Sequence, residues 1–235
     1  MSIANPSSFF EPSETSLKIC GITSGSEAQR LVELRVSTLG LNFWPKSKRY
    51  CSPEQALTFS PALAGAIERV GVFVNNAAAL APQLLEQNVI DIVQLHGDEG
   101  DDELIQFLDQ GVPTIRALSL PSPEETTHTI AHYQQIAATK KAPLALLLDA
   151  HAPGIYGGTG ETIDWIRAEE FIRLAAPLPV LLAGGITPSN AERALTSTHP
   201  AGLDIASGAE LSPGKKDFAK VEALLQTITK VSSAP

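Results

Sequence analysis

The stretch LKICGI at residues 17–22 is the first of eight short apolar runs, and a segment with helical periodicity follows each run. The other runs are TLGLNF (38–43), RVGVFV (69–74), DIVQLH (91–96), TIRALSL (114–120), LALLLDA (144–150), PVLLAGG (179–185) and GLDIAS (202–207). The predicted helices span residues 26–36, 53–67, 78–87, 101–110, 124–138, 164–175, 188–196 and 217–228. Strands that alternate with helices in this way predict a parallel sheet.

Eight such units in a chain of 235 residues predict an α/β protein with a single (β/α)8 TIM barrel over residues 17–230. A doubly wound open sheet is the alternative, and the absence of a GxGxxG turn after the first run weakens it. Residues 1–16 are predicted to be a flexible N-terminal tail, and residues 231–235 a C-terminal tail.

Composition narrows the possible partners. The net charge of −9 argues against nucleic acid, because phosphate backbones are bound by basic surfaces. No apolar stretch reaches the roughly 18 residues that span a bilayer, so no membrane association is expected. Cys20 and Cys51 are too few for a disulfide framework and lack metal-type spacing, which predicts a reducing, cytoplasmic setting. We expect a monomer, with a homodimer as the alternative.

Lys18 and Cys20 are unusual in a run that otherwise reads as a buried strand, because an unpaired buried charge costs several kcal/mol. Residues two apart share a face of a strand, so Lys18 and Cys20 point the same way. Asp204 lies on the eighth run, which neighbours the first in a closed barrel. We therefore expect Lys18 and Asp204 to neutralise each other.

Glycine-rich loops follow the sixth, seventh and eighth runs, at the end of the barrel where such folds bind ligands. Glycine lets backbone N–H groups approach a phosphate closely. A sugar phosphate is therefore the expected class of ligand. The predicted phosphate-binding residues are Gly157, Gly158, Gly160, Gly184, Gly185, Ser207 and Gly208.

Several segments together resemble the phosphoribosylanthranilate isomerase family, in order and at similar spacing. They are KICGIT, GLNFWPKSKRYCSPEQA, VGVFVN, VQLHGDE, LLLDA with YGGTGETIDW, LLAGGITPSN and LDIASGAELSPGKKD. The resemblance implies a (β/α)8 barrel that acts on a small-molecule substrate in tryptophan biosynthesis. It implies an Amadori rearrangement of N-(5-phosphoribosyl)anthranilate to 1-(2-carboxyphenylamino)-1-deoxyribulose 5-phosphate, without metal or organic cofactor.

The resemblance also assigns roles. Cys20 falls on the family's general base and Asp149 on its general acid. Arg49 falls on the arginine that holds the anthranilate end, and His96 is expected to line the same pocket. Lys18 and Asp204 are assigned to substrate binding, whereas the remaining lysines of the KSKR run (46–49) are expected to form a solvated patch.

The chemistry sets expectations for the acid and the base. Asp149 must hold a proton near neutral pH, and Cys20 must lose one, so we expect either Lys18 or the bound iminium of the substrate to favour the Cys20 thiolate. Two residues depart from the family pattern: Ala206 replaces a serine, and Cys51 stands where an aliphatic residue is common. Two alternatives remain, namely another sugar-phosphate isomerase or epimerase, and a phosphate-binding barrel that has lost catalysis.

Overall fold

Eight parallel strands close into a barrel in the computed structural model, which describes Phe10 and residues 15–150 and 164–233. The strands follow the chain around the barrel, and β1 pairs with both β2 and β8. They are β1 (Ser16–Cys20), β2 (Thr38–Asn42), β3 (Glu68–Phe73), β4 (Ile92–Leu95), β5 (Thr114–Ser119), β6 (Leu144–Asp149), β7 (Val180–Leu182) and β8 (Gly202–Ile205). The predicted TIM barrel is therefore confirmed.

Helices connect the strands and cover the outside of the barrel. They are α1 (Gly25–Glu33), α2 (Pro53–Leu57), α3 (Ala77–Glu86), α4 (Asp101–Asp109), α5 (Pro123–Thr139), α6 (Trp165–Ala175), α7 (Ala191–Thr198) and α8 (Phe218–Ser232). Among the described helices, none is long and apolar enough to cross a bilayer.

Two features differ from the sequence-based prediction. The single helix predicted over residues 53–67 is instead α2 followed by a short 3-10 turn, Ser60–Leu63, since Pro61 has no N–H with which to continue an α-helix. A small hairpin, β9 (Glu210–Ser212) and β10 (Lys215–Lys216), lies between β8 and α8 and was not predicted. Its strands are too short to show a period-two pattern.

The register of the barrel determines which side chains meet inside it. Lys18 is paired with Thr38 on β2 and with Asp204 on β8, and Cys20 is paired with Gly40. Most of the remaining interior is an apolar cluster formed by Val70, Val72, Ile92, Ile115, Ala145, Leu147, Leu181 and Ala183. A larger apolar layer lies between the strands and the helices.

Phe10 belongs to the interior cluster although it lies in the predicted flexible tail. Its side chain is buried and packs with the cluster in the barrel interior. The other predicted tail positions at 1–9 and 11–14, with residues 234 and 235, lie outside the described residues.

We expect Phe10→Ala to lower the free energy of unfolding by about 3–5 kcal/mol, because it removes a buried aromatic ring from a packed cluster. Urea denaturation followed by circular dichroism measures the change. Phe10→Leu is the control, and it should lose less because it keeps most of the apolar volume. Equal urea midpoints for wild type and Phe10→Ala would show that the ring does not stabilise the interior cluster.

Candidate active site

A cavity of about 450 Å³ opens at the carboxyl ends of the barrel strands. Its size is typical of small-molecule sites. The predicted site residues that line it are Cys20, Arg49, His96, Asp149, Gly184, Gly185, Asp204, Ser207 and Gly208. The predicted phosphate-binding residues Gly157, Gly158 and Gly160 lie outside the described residues.

The predicted pairing of Lys18 with Asp204 is confirmed. Lys18 Nζ lies 2.8 Å from Asp204 Oδ2, and the Lys18 side chain has no exposed surface. Burial is the largest single influence and disfavours the ammonium, but Asp204 and Cys20 together outweigh it and raise the pKa of Lys18. The assignment of Lys18 to substrate contact needs correction, because a side chain with no exposed surface lies beneath the cavity.

Lys18 favours the thiolate of Cys20, as expected, but the net shift of the Cys20 pKa is upward. Burial raises the pKa of the Cys20 thiol, and this effect exceeds the opposing attraction of Lys18. The positive charge of Lys18 is already matched by Asp204 at 2.8 Å, which itself disfavours a thiolate nearby. Burial therefore favours the neutral thiol of Cys20, which lines the cavity.

Gly40 provides the space that Cys20 occupies. A Cβ added at Gly40 would lie 2.9 Å from Cys20 Sγ, 3.1 Å from Cys20 Cα and 3.2 Å from Lys18 Nζ. Such distances are shorter than ordinary van der Waals contact. A glycine on β2 is therefore required for the thiol and the ion pair to stand side by side.

Asp149 and His96 face each other across the ends of β6 and β4. Asp149 Oδ1 accepts a hydrogen bond from the backbone N–H of Ala150 at 2.7 Å, and Asp149 Oδ2 lies 3.4 Å from His96 Nε2. The buried amide of Gln94, as oriented here, donates from Nε2 to His96 Nδ1 at 3.0 Å. In the tautomer that accepts this bond at Nδ1, the imidazole proton lies on Nε2, toward the carboxylate.

The loops after β7 and β8 approach each other closely. Gly184 and Gly185 both have positive φ, 84° and 62°, and a Cβ at Gly184 would lie 2.5 Å from Ala150 Cβ. A Cβ at Gly208 would overlap the backbone carbonyl of Ile186. These glycines allow close approach between the end of β6 and the loop after β7, and between the loops after β7 and β8, at the cavity wall. Their role as a phosphate-binding cradle stays a prediction.

Sequence reasoning missed a buried charged cluster beside Arg49. Glu210 forms a two-pronged ion pair with Arg49, with distances of 2.8 Å to Nε and 2.7 Å to Nη2. Lys216 Nζ lies 2.8 Å from the same carboxylate and 2.6 Å from the backbone oxygen of Cys20. The only sequence signal was that both residues fall within the quoted LDIASGAELSPGKKD segment (203–217).

Burial and hydrogen bonding compete in this cluster. Burial opposes ionisation of Glu210, but hydrogen bonds and charge from Arg49 and Lys216 outweigh it and lower the pKa of Glu210. Burial lowers the pKa of Lys216, and the Glu210 carboxylate opposes that shift.

Lys46 and Lys48 are exposed, as expected for a solvated patch, but they also line the cavity mouth.

Within the described ranges, no group of three or more histidine, cysteine, aspartate or glutamate side chains could hold a metal ion.

We expect Gly40→Ala to destabilise the protein by about 1–3 kcal/mol, because the added methyl group must displace the Cys20 backbone or thiol. Denaturant unfolding measures the effect. Gly100→Ala is the matched control, since a Cβ there meets no atom within 4 Å. If both variants unfold at the same denaturant concentration, β2 tolerates a side chain beside Cys20 and the packing described above is wrong.

Comparisons with known proteins agree with this geometry. Residues 17–227 match the family model described as N-(5'phosphoribosyl)anthranilate (PRA) isomerase. The chain is 37% identical over 220 residues to the N-(5'-phosphoribosyl)anthranilate isomerase of Rippkaea orientalis, covering 92% of this chain and 97% of that protein.

Solved structures agree as well. The crystal structure of phosphoribosyl anthranilate isomerase from Thermotoga maritima is similar with a TM-score of 0.78 and 31% identity, covering 92% of this chain and 99% of that one. A complex of such an isomerase with reduced 1-(o-carboxyphenylamino)-1-deoxyribulose 5-phosphate gives a TM-score of 0.75 and 28% identity, with coverage of 92% and 99%. The chain thus belongs to the N-(5'-phosphoribosyl)anthranilate isomerase family.

Proposed function

We propose that this protein isomerises N-(5'-phosphoribosyl)anthranilate to 1-(o-carboxyphenylamino)-1-deoxyribulose 5-phosphate, a step of tryptophan biosynthesis. The observation that carries the proposal is that Cys20 and Asp149 line one cavity, between an arginine and two glycine-rich loops. The reaction is an internal redistribution of protons and electrons, so an acid and a base suffice and no cofactor is needed.

Asp149 acts first, as the general acid. It gives a proton to the ribose ring oxygen while the bond from that oxygen to C1 breaks, and the anthranilate nitrogen lone pair forms a C1=N iminium. Asp149 is held by its hydrogen bond to Ala150 and faces His96, whose N–H supports the carboxylate after the proton has left. The proton lost by Asp149 thus becomes the hydroxyl proton on the former ring oxygen of the substrate.

Cys20 acts second, as the general base. It removes the proton from C2, and the C2–H electrons form the enolamine double bond as the iminium nitrogen becomes neutral. The enolamine then tautomerises to the ketone. The reaction requires a protonated Asp149 and a Cys20 thiolate. Because the pKa of Cys20 is raised, this combination is a minority state before substrate binds. The cationic iminium favours the thiolate at the step that needs it.

The two ends of the substrate fit the two sides of the cavity. Arg49, next to the β2 loop, can receive the anthranilate carboxylate, because a guanidinium pairs well with planar anions. The backbone at Gly184, Gly185, Ser207 and Gly208 can receive the phosphate. Ala206 supplies no hydroxyl there, so Ser207 is left to contribute one.

We also propose a cytoplasmic location and a monomeric state. The thiol of Cys20 must remain unoxidised to act as a base, which suits a reducing compartment. Large exposed hydrophobic side chains in the described residues are Leu57, Ile166, Leu174 and Leu211, which are spread over three separate elements.

Cys20→Ser and Asp149→Asn should each lower kcat/KM by at least about 100-fold, because each removes one proton-transfer group. The fluorescence loss of freshly prepared phosphoribosylanthranilate measures turnover. Cys51→Ser is the matched control, because Cys51 is fully buried and lies outside the cavity lining. If Cys20→Ser turned over as fast as Cys51→Ser, the base assignment would be wrong.

A further inference from the structure

Glu210 is the centre of a buried, fully hydrogen-bonded cluster at the edge of the cavity. Its Oε1 accepts from Arg49 Nε, Lys216 Nζ and the backbone N–H of Gly214, and its Oε2 accepts from Arg49 Nη2. The exposed fractions of the side chains are 12% for Arg49, 4% for Glu210 and 0% for Lys216. Of these three residues, Arg49 is the one that lines the cavity.

The charges in this cluster matter for an anionic ligand. Arg49 and Glu210 by themselves form a neutral pair, and the Glu210 carboxylate would repel a second carboxylate brought to the same guanidinium. Lys216 contacts the same oxygen of Glu210 at 2.8 Å and restores one net positive charge. Because the three groups are largely removed from water, solvent screens this balance less than it would at the surface.

Arg49 keeps one nitrogen for a ligand. Its Nε and Nη2 face Glu210, and among the described residues no acceptor contacts Nη1. The pair with Glu210 therefore fixes the plane of the guanidinium without using all of its donors.

We propose that Lys216 is a charge-balancing residue that, by sharing Glu210, leaves Arg49 with a net positive charge for the carboxylate on the aromatic ring of the substrate. The inference rests on the proposed function and deepens it, since it names a residue that enables Arg49 to recognise the ring carboxylate of the substrate. Lys216 touches no substrate in this proposal and acts through Arg49.

The hairpin of β9 and β10 holds Lys216 in place. In the turn of the hairpin, the Gly214 carbonyl accepts a hydrogen bond from Thr23 Oγ1 at 3.0 Å. The backbone N–H of Lys216 donates to Glu27 Oε1 at 2.7 Å. The ammonium also donates to the Cys20 carbonyl. A purely structural role for Lys216, tying the hairpin to β1, is therefore the competing explanation that the experiment must separate.

The test compares two ligands that differ by one group. The first is reduced 1-(o-carboxyphenylamino)-1-deoxyribulose 5-phosphate, and the second is the same molecule without the ring carboxylate. In calorimetric titrations, Lys216→Met should weaken the first ligand by about tenfold and the second by less than about twofold. Arg49→Ala is the reference for complete loss of carboxylate recognition. Equal weakening of both ligands by Lys216→Met overturns the proposal.

A double variant separates charge from structure. Lys216→Met with Glu210→Gln removes one positive and one negative charge, so Arg49 again stands with one net positive charge. A charge-balancing role requires the double variant to bind the carboxylated ligand more tightly than Lys216→Met does. No recovery shows that Lys216 is structural and overturns the proposal.

Turnover by the wild type keeps the two hypotheses distinguishable. One outcome is that the wild type turns over phosphoribosylanthranilate while Lys216→Met weakens both ligands equally. That result overturns this inference and leaves the proposed function standing. A wild type that neither turns over the substrate nor binds either ligand overturns both.

Discussion

Lys18 and Asp204 form an ion pair in the barrel interior, across the seam where the last strand meets the first. A lysine with no exposed surface requires such a partner, because an unpaired buried charge is several kcal/mol less stable than a solvated one. Only a closed sheet makes β8 a neighbour of β1, so the pair and the closure of the barrel depend on each other. The pair also supports Cys20 from below, in the space left open by Gly40.

This pairing limits how far Lys18 can lower the pKa of Cys20. The charge of Lys18 is largely offset by Asp204, so burial dominates and the pKa of Cys20 rises. The positive charge available to a ligand lies instead at the rim, on Arg49 with its buried partners and on Lys46 and Lys48. In the proposed mechanism, an anionic substrate is attracted to the rim formed by the loop after β2, while Cys20, the proposed base, stays neutral until a cation forms beside it.

The sequence predicted the parts of this structure that follow from local patterns. All eight strands appear within a few residues of their expected positions, and the Lys18–Asp204 pair followed from strand alternation and closure. Cavity membership of Cys20, Arg49, His96 and Asp149 followed from the rule that strand carboxyl ends converge.

The remaining features depend on three-dimensional proximity that no local pattern carries. The pKa direction at Cys20 is the balance of burial against two opposite charges, and burial cannot be read from KICGIT alone. Gly40 has a role only because β2 lies beside β1. Glu210 lies on a strand of three residues and Lys216 on a strand of two. Glu210 and its partner Arg49 are 161 positions apart in the sequence.

The most direct measurement is the ultraviolet absorbance of the Cys20 thiolate near 240 nm as a function of pH. Cys51→Ser serves as the background, since burial raises the pKa of Cys51 to about 12, and Cys51→Ser with Cys20→Ser is the blank. We expect no thiolate at neutral pH and a midpoint above the ordinary thiol value, because desolvation outweighs the attraction of Lys18. A thiolate already formed at pH 7 in the free protein would contradict the claim that Cys20 ionises only when the substrate iminium lies beside it.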